Sequence, residues 1–329
     1  MNTPPPILTI VIPTYERPEA LARTVRSLLP QLHTDCRLII IDNCSPTPAH
    51  DVLAPHLQAG MPVEIRRNPV NIGGNANICR CLEVSESDWT WVVGDDDVIV
   101  DGAVRLVLGA IRTSKPQSIL LNFNNPALKE PVTCTSITSL MEHASQATCG
   151  NLLFITACIF RTSLLRSHLH QAYTWISTCG PHLALTLHHM FHHQSMVELY
   201  PENLRSEASI VQKGGPGLMI VYGLSQLGQL PTPWSSNRAL RRYIAHQLPE
   251  PQSCIYEVLL GYRRGVQSSL GTLILFNRIA RAKYPLAMRP WQWCRFLAAF
   301  ARTSLRMFLQ FARVIPRRIY GDETEQTRW

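Results

Sequence analysis

Trp89-Thr-Trp-Val-Val93-Gly94-Asp95-Asp96-Asp97-Val-Ile-Val100 is an apolar run that breaks at a glycine and three consecutive carboxylates, then turns apolar again. A short run of this kind, rich in β-branched and aromatic residues, has the pattern of a buried strand. Three adjacent carboxylates repel one another unless a cation neutralises them. Hard divalent ions such as Mn²⁺ or Mg²⁺ take oxygen ligands, and Mg²⁺ commonly sits between one or two carboxylates and substrate phosphates. The flanking apolar runs make this turn the tip of a core strand rather than an acidic surface loop.

Working back toward the N-terminus, the same pattern recurs. Ile7–Ile12 ends at Pro13-Thr14-Tyr15, and Glu19–Leu32 follows with apolar residues at helical spacing. Arg37–Ile41 ends at Asp42-Asn43-Cys44-Ser45. Pro62–Ile65 leads to Asn71-Ile-Gly73-Gly74-Asn75-Ala-Asn77 and a helix through about Val84. Strand, loop and helix in repeated succession predict an α/β fold, a mainly parallel sheet flanked by helices. Ligands of such sheets bind beyond the carboxyl ends of the strands, where Thr14, Tyr15, Asp42, Asn71, Gly73, Gly74, Asn77 and Asp95–Asp97 all fall. Asp42 can accept hydrogen bonds from a base or ribose. Gly73 and Gly74 allow a phosphate close to the backbone, and Asn75 or Asn77 is expected to cap the following helix. The pattern is neither GxGxxG nor GxxxxGK[ST], which disfavours a dinucleotide fold and a P-loop.

The 329 residues carry a net charge of +8, which suggests an anionic partner, with 46% hydrophobic and 16% charged residues, a globular balance. The ten cysteines form no CxxC pair and are expected to be reduced. The N-terminus has neither the basic nor the apolar region of a signal peptide, and no apolar run is long enough to span a membrane.

Taken together, Ile-Pro-Thr-Tyr, Ile-Asp-Asn-Cys-Ser, Asn-Ile-Gly-Gly-Asn-Ala-Asn and Gly-Asp-Asp-Asp resemble, in order and spacing, the family 2 glycosyltransferases of the GT-A fold. The likeness is firm over roughly residues 5–110 and loose from there to about 210. It implies an inverting, metal-dependent transfer of one sugar from a nucleotide-diphosphate donor, with UDP-sugars favoured, to a glycan or lipid-linked acceptor in surface polysaccharide synthesis. Under it Thr14, Tyr15 and Asp42 hold the nucleoside, Asp95 the ribose side and Asp97 the metal, and Asp96 shares either role. The implied layout is a catalytic domain over 1–212, with a donor half 1–110 and an acceptor half 111–212, followed by a helical region over 213–329.

Family members usually supply an acidic base at a helix start beyond the acceptor region. Between Pro131 and Tyr200 this chain has only Glu142 and Glu198 as acids, whereas eight of its twelve histidines lie between His143 and His193. His182 stands in the expected stretch and is the candidate base, since neutral imidazole can take a proton near pH 7. His188-His189-Met-Phe-His192-His193 lacks the Glu of HExxH, and is read as an ordinary helix face rather than a metal site. Farther on, Arg295, Arg302, Arg306 and Arg313 recur at helical spacing within about 291–315, among Phe, Leu, Met, Val and Ala. Such a helix suits an anionic membrane interface, so the expected location is cytoplasmic, on the inner face of the cell membrane. A nucleic-acid partner is not expected. Gly-Asp-Asp also occurs in polymerase palms, but no large region precedes it here. A non-catalytic nucleotide-sugar-binding or scaffold protein is the other alternative, raised by the missing acidic base.

Overall fold

The computed structural model describes residues 6–58, 60–146, 152–206 and 225–247, with isolated positions 223, 294, 298, 301, 302 and 305. The chain divides into two compact units, Met1–Gln212 and Lys213–Trp329.

The first unit is built on one eight-stranded sheet in the order β3-β2-β1-β4-β7-β5-β8-β6. Strands β1 (Leu8–Thr14), β2 (Cys36–Asp42), β3 (Val63–Arg67) and β4 (Trp89–Val92) form its parallel half. Helix α1 (Pro18–Leu28) connects β1 to β2, the short α2 (Ala49–Leu53) lies between β2 and β3, and α3 (Gly74–Val84) joins β3 to β4. In β1 and β2 the apolar residues from Leu8 through Ile12 and from Leu38 through Ile41 are all buried. Burial of both faces explains why these runs are continuous rather than alternating. Pro18 opens α1, where its missing N–H costs nothing.

The second half is mixed. β5 (Ser118–Asn122) pairs antiparallel with β7 (Cys158–Arg161) and parallel with β8 (Met196–Leu199), and β6 (Val132–Cys134) closes the edge. Its helices are α4 (Ala103–Thr113), α5 (Ile137–Gln146), α6 (Thr162–Leu165), α7 (Leu169–Thr174) and α8 (Pro181–His193). Two stretches of this half fold differently from what their local residue pattern suggests. The apolar stretch 152–160 is a strand only from Cys158, because Ile155–Ala157 winds into a 3₁₀ turn. The polar, Pro-containing stretch 124–138 is not wholly loop: it contributes β6 and the start of α5.

In the second unit, α9 (Arg238–Gln247) buries Leu240, Tyr243 and Ile244. Within the stretch 291–315 the described positions Cys294, Ala298, Ala301, Arg302 and Leu305 are helical and exposed. Arg295, Arg306 and Arg313 lie outside the described residues, as does most of that expected helix. Among the described residues no helix is long and apolar enough to cross a membrane.

Candidate active site

Strand register sets the site. Thr14 lies opposite Asp42, and Asp42 opposite Arg67, across β1, β2 and β3. β4 runs beside β1 on the other side, and the turn that follows brings Asp95 to Thr14, whose hydroxyl donates to Asp95 Oδ2 at 2.8 Å. One row across the carboxyl ends of four parallel strands therefore carries Arg67, Asp42, Thr14 and Asp95.

Each carboxylate has a different setting. Arg17 Nη1 reaches Asp95 Oδ1 at 3.1 Å and Asp96 Oδ2 at 2.9 Å. Asp97 accepts the Thr156 hydroxyl on Oδ2 at 2.6 Å and Arg205 Nη1 on Oδ1 at 3.4 Å. Thr156 is itself held on both sides: Trp91 Nε1 donates to its carbonyl at 2.8 Å, and its Oγ accepts the Gly94 amide at 2.8 Å. A Cβ at position 94 would lie 2.8 Å from Asp97 Oδ2, so any larger residue there displaces that carboxylate. Asp95 and Asp97 are buried, whereas Asp96 is partly open. Burial is the main force on Asp95 and pushes its carboxyl up, against the pull of Arg17 and Thr14. Burial likewise dominates at Asp97 and raises it, with Thr156 and Arg205 opposing and Asp96 adding repulsion. Buried carboxylates held in this way gain from an additional positive charge. The carboxylate oxygens of Asp96 and Asp97 form a donor set that fits a hard divalent cation, and the 3.4 Å contact of Asp97 with Arg205 is long enough to give way to one.

Asp42 is buried, and its oxygens are largely committed within the protein. Oδ1 accepts the Ser45 amide at 2.8 Å, and Oδ2 accepts the Ala49 amide at 3.1 Å together with Arg67 Nη1. Burial acts to raise this carboxyl, but the bonds from Ser45, Ala49 and Arg67 outweigh it and leave it lowered. The Ser45 amide and hydroxyl, the Ala49 amide and the Arg67 guanidinium thus all face this one carboxylate.

The asparagines of this region lock loops to one another. Asn68 Nδ2 donates to Asn43 and to Asn77, at 2.9 Å each. Asn43 donates to Asn71 at 2.7 Å, and Asn71 accepts the Gly73 amide at 2.8 Å. The capping expectation is corrected here. Gly73 is the cap residue of α3, with φ of 84° that a larger side chain would strain, and no side chain caps the helix. Asn77 is buried inside the helix, and Asn75 instead donates to the Ile176 carbonyl at 2.7 Å. Gly73 and Gly74 have open space beside their Cα atoms. Tyr15 follows Thr14 and is half-buried.

His182 is placed at the start of α8, but in the interior. Only 3% of it is exposed, and Nε2 lies 3.1 Å from the Leu152 carbonyl. That acceptor requires Nε2 to carry the proton. Nδ1 is then the unprotonated nitrogen, buried and without a hydrogen-bond partner among the described residues. A general base must reach the proton that it removes, so this geometry corrects the assignment of His182 as base and makes it a packing residue against Phe160. Glu198, the other acid in reach by sequence, is also buried. It accepts the Lys115 amide and the hydroxyls of Ser118 and Tyr200.

Burial holds the His182 imidazole at a pKa of about 4, despite the carbonyl that favours its protonation. The unfolded chain, with imidazole near 6.5, then binds a proton that the folded state refuses. Stability from this group is complete above pH 6.5 and is lost as pH falls toward 4. Over that window the loss is on the order of 3 kcal/mol. Chemical denaturation across pH 7 to 4 checks it: His182→Asn should flatten part of the slope, and an unchanged slope would show that the buried imidazole does not titrate this way.

Arg17, Arg67, Thr156 and Arg205 were not singled out by the sequence. Arg17 had a signal, a cation directly after the β1 end facing a triple carboxylate. Arg205, 108 positions from Asp97, had none.

This architecture, a parallel half joined to a mixed half with a carboxylate cluster at the strand ends, is the GT-A glycosyltransferase fold. Residues 9–164 match the sequence model of the family described as Glycosyl transferase family 2. Among curated relatives, the abequosyltransferase RfbV of Salmonella typhimurium is 26% identical over 104 residues, 31% of each chain. An uncharacterized protein of Mycobacterium tuberculosis, MT1568, is 28% identical over 105 residues, 32% of each chain. These matches thus span about a third of the length of the relatives. Among solved structures, S. aureus TarS 1-349 in complex with UDP-GlcNAc superposes with a TM-score of 0.57, covering 91% of both chains at 13% identity. At that identity the likeness concerns the fold.

Proposed function

We propose that this protein moves a single sugar, with inversion, from a nucleotide-diphosphate sugar to a glycan or lipid-linked acceptor in surface polysaccharide biosynthesis. The observation that carries the reading is the row of Thr14, Asp42 and Asp95 at the ends of adjacent parallel strands, with Asp97 beside it. In this reading Thr14, Tyr15 and Asp42 position the nucleoside, and Asp95 faces the ribose. Gly73 and Gly74 leave room for the diphosphate at the start of α3, while Asn71 and Asn77 hold that loop in place. Asp97, with Asp96, would hold Mn²⁺ or Mg²⁺, which when bound stabilises the leaving diphosphate. Arg17 and Arg205 keep the carboxylates apart and oriented until the ion and donor arrive. UDP-sugars are the favoured donors, in keeping with the ligand of TarS.

Slow, Mn²⁺-stimulated release of nucleoside diphosphate from one member of a nucleotide-sugar panel, with a matching thermal shift, supports the enzyme. Donor binding without any turnover, on the full acceptor range, would favour a second reading, a nucleotide-sugar-binding scaffold. The burial of His182 and the engagement of Glu198 are the specific observations behind that second reading. Attachment to the inner face of the cell membrane is part of the proposal. It rests on the arginine spacing of 295–313, and cosedimentation with anionic vesicles that ignores salt and the tail would refute it.

A further inference from the structure

Five histidines crowd the C-terminal half of α8 and the turn before α7. His189 and His193 are four residues apart, so they share a face of α8, and their rings lie 4.5 Å apart. His168, at the end of the 3₁₀ turn Arg166–His168, brings its ring to 5.0 Å from His189 and 4.5 Å from His193. One ring nitrogen from each of the three lies within 4.8 Å of the others. In a tetrahedral site with metal–nitrogen bonds of about 2.1 Å, neighbouring ligand nitrogens are separated by roughly 3.4 Å. Small side-chain rotations close that gap, since His193 is exposed and His168 only half-buried.

We propose that His168, His189 and His193 form a binding site for a first-row transition ion, Zn²⁺ above all, separate from the carboxylate cluster. The donor set decides the ion. Three imidazoles with no carboxylate suit Zn²⁺ and its neighbours, whereas the hard ions expected at Asp97 prefer oxygen. No acidic residue occurs from His143 through Val197, so the stretch offers these imidazoles no carboxylate of its own. Burial and mutual repulsion keep His168 and His189 below their usual range, and the neutral ring is the form that binds metal.

His189 already has the support that a metal-bound histidine needs. Its Nε2 lies 3.2 Å from the Leu164 carbonyl, so that nitrogen carries the proton and Nδ1 keeps a lone pair. A second ring nitrogen donated to a backbone carbonyl is the usual means of fixing tautomer and orientation in metal sites. Nδ1 now accepts the Ser195 hydroxyl at 2.6 Å. That hydroxyl rotates away when the ion binds, or holds a water in the fourth position. The second pair on this helix, His188 and His192, has its rings tilted to one another at 4.4 Å and lies outside the triad. An ion here fastens the turn before α7 to the last turn of α8.

The test uses the untagged full-length chain, stripped with chelator, because a polyhistidine tag would mask the site. Calorimetric titration with Zn²⁺ should show one equivalent that the double variant His168→Gln/His193→Gln binds at least about 100-fold more weakly. His192→Gln should keep it. Co²⁺ in the same site should give visible bands of a nitrogen–oxygen tetrahedron without a near-ultraviolet thiolate band. Donor binding should survive in the double variant, which shows that it folds and separates this site from the carboxylate cluster. Equal Zn²⁺ binding by wild type and double variant, or a thiolate band common to both, would overturn the proposal.

Discussion

Asp97→Asn should lower metal-dependent donor affinity and transfer by about 10²–10³-fold, while the metal-free protein becomes more stable. The two effects have one cause. Asp97 is 5% exposed at its side chain, and its contact with Arg205 is long, at 3.4 Å. Burial raises its carboxyl above the usual range in the folded state. For an acid shifted this way, stability is full below the unfolded pKa, near 3.9, and is lost as pH rises through the folded value. At pH 7 the folded protein therefore bears the whole cost of the ionised group, and asparagine removes it without changing shape. The Thr156 hydroxyl can still donate to the amide oxygen, and Arg205, a third exposed, can turn to water. A gain of about 0.5–2 kcal/mol in the metal-free fold is expected. Calorimetry with donor and Mn²⁺, beside thermal unfolding in chelator, measures both halves. Unaltered donor affinity would remove Asp97 from the metal site. A fall in metal-free stability would show that Thr156 and Arg205 more than offset the burial.

Asp42→Ala should cost roughly 2–4 kcal/mol of stability and weaken even free nucleoside diphosphate by about 1.5–3 kcal/mol. The side chain is 1% exposed and ties the Ser45 and Ala49 amides to Arg67, which joins the loop after β2 to the end of β3. Alanine leaves both amides without their acceptor. Arg67 is 41% exposed and regains water, so its share of the loss is discounted. The lowered carboxyl gives the sign of the pH dependence. Its contribution is present above the unfolded pKa and fades as pH falls through the folded value. The gap between wild type and variant should narrow below about pH 4. Denaturation at pH 7 and pH 3.5 tests this, and a constant gap would mean that the carboxylate is not ionised in the fold. Loss of stability with full nucleotide affinity would make Asp42 a loop anchor alone.

Much of the site could be read from the chain because each piece was local. Ile7–Ile12 and Arg37–Ile41 are buried on both faces, so hydrophobic runs marked them directly as parallel strands. The parallel half then had to place Thr14, Asp42 and Asp95–Asp97 at one edge, since successive right-handed crossovers bring every carboxyl end to the same side. Side-chain direction was not local. Asn77 sits in the motif that the sequence singled out, yet the buried network with Asn68 and Asn43 turns it inward, away from any ligand. The β8 strand, four residues long, gave no run long enough to distinguish from helix.

Residue types along the chain were enough to place the parallel half of the sheet and the gathering of Thr14, Asp42 and Asp95–Asp97 at its carboxyl end, because strand burial and clustered carboxylates leave marks on neighbouring residues. Which cations meet those carboxylates, and where the histidines lie, depended on the packing of distant segments. Arg205 meets Asp97 because the segment after β8 runs back along the turn after β4, where Ile99 and Arg205 form an antiparallel bridge. His182 is sealed under Leu152, and His168 reaches His189 and His193 across a turn. Contacts between segments far apart in sequence depend on how whole elements pack, and no local pattern of residue types records them.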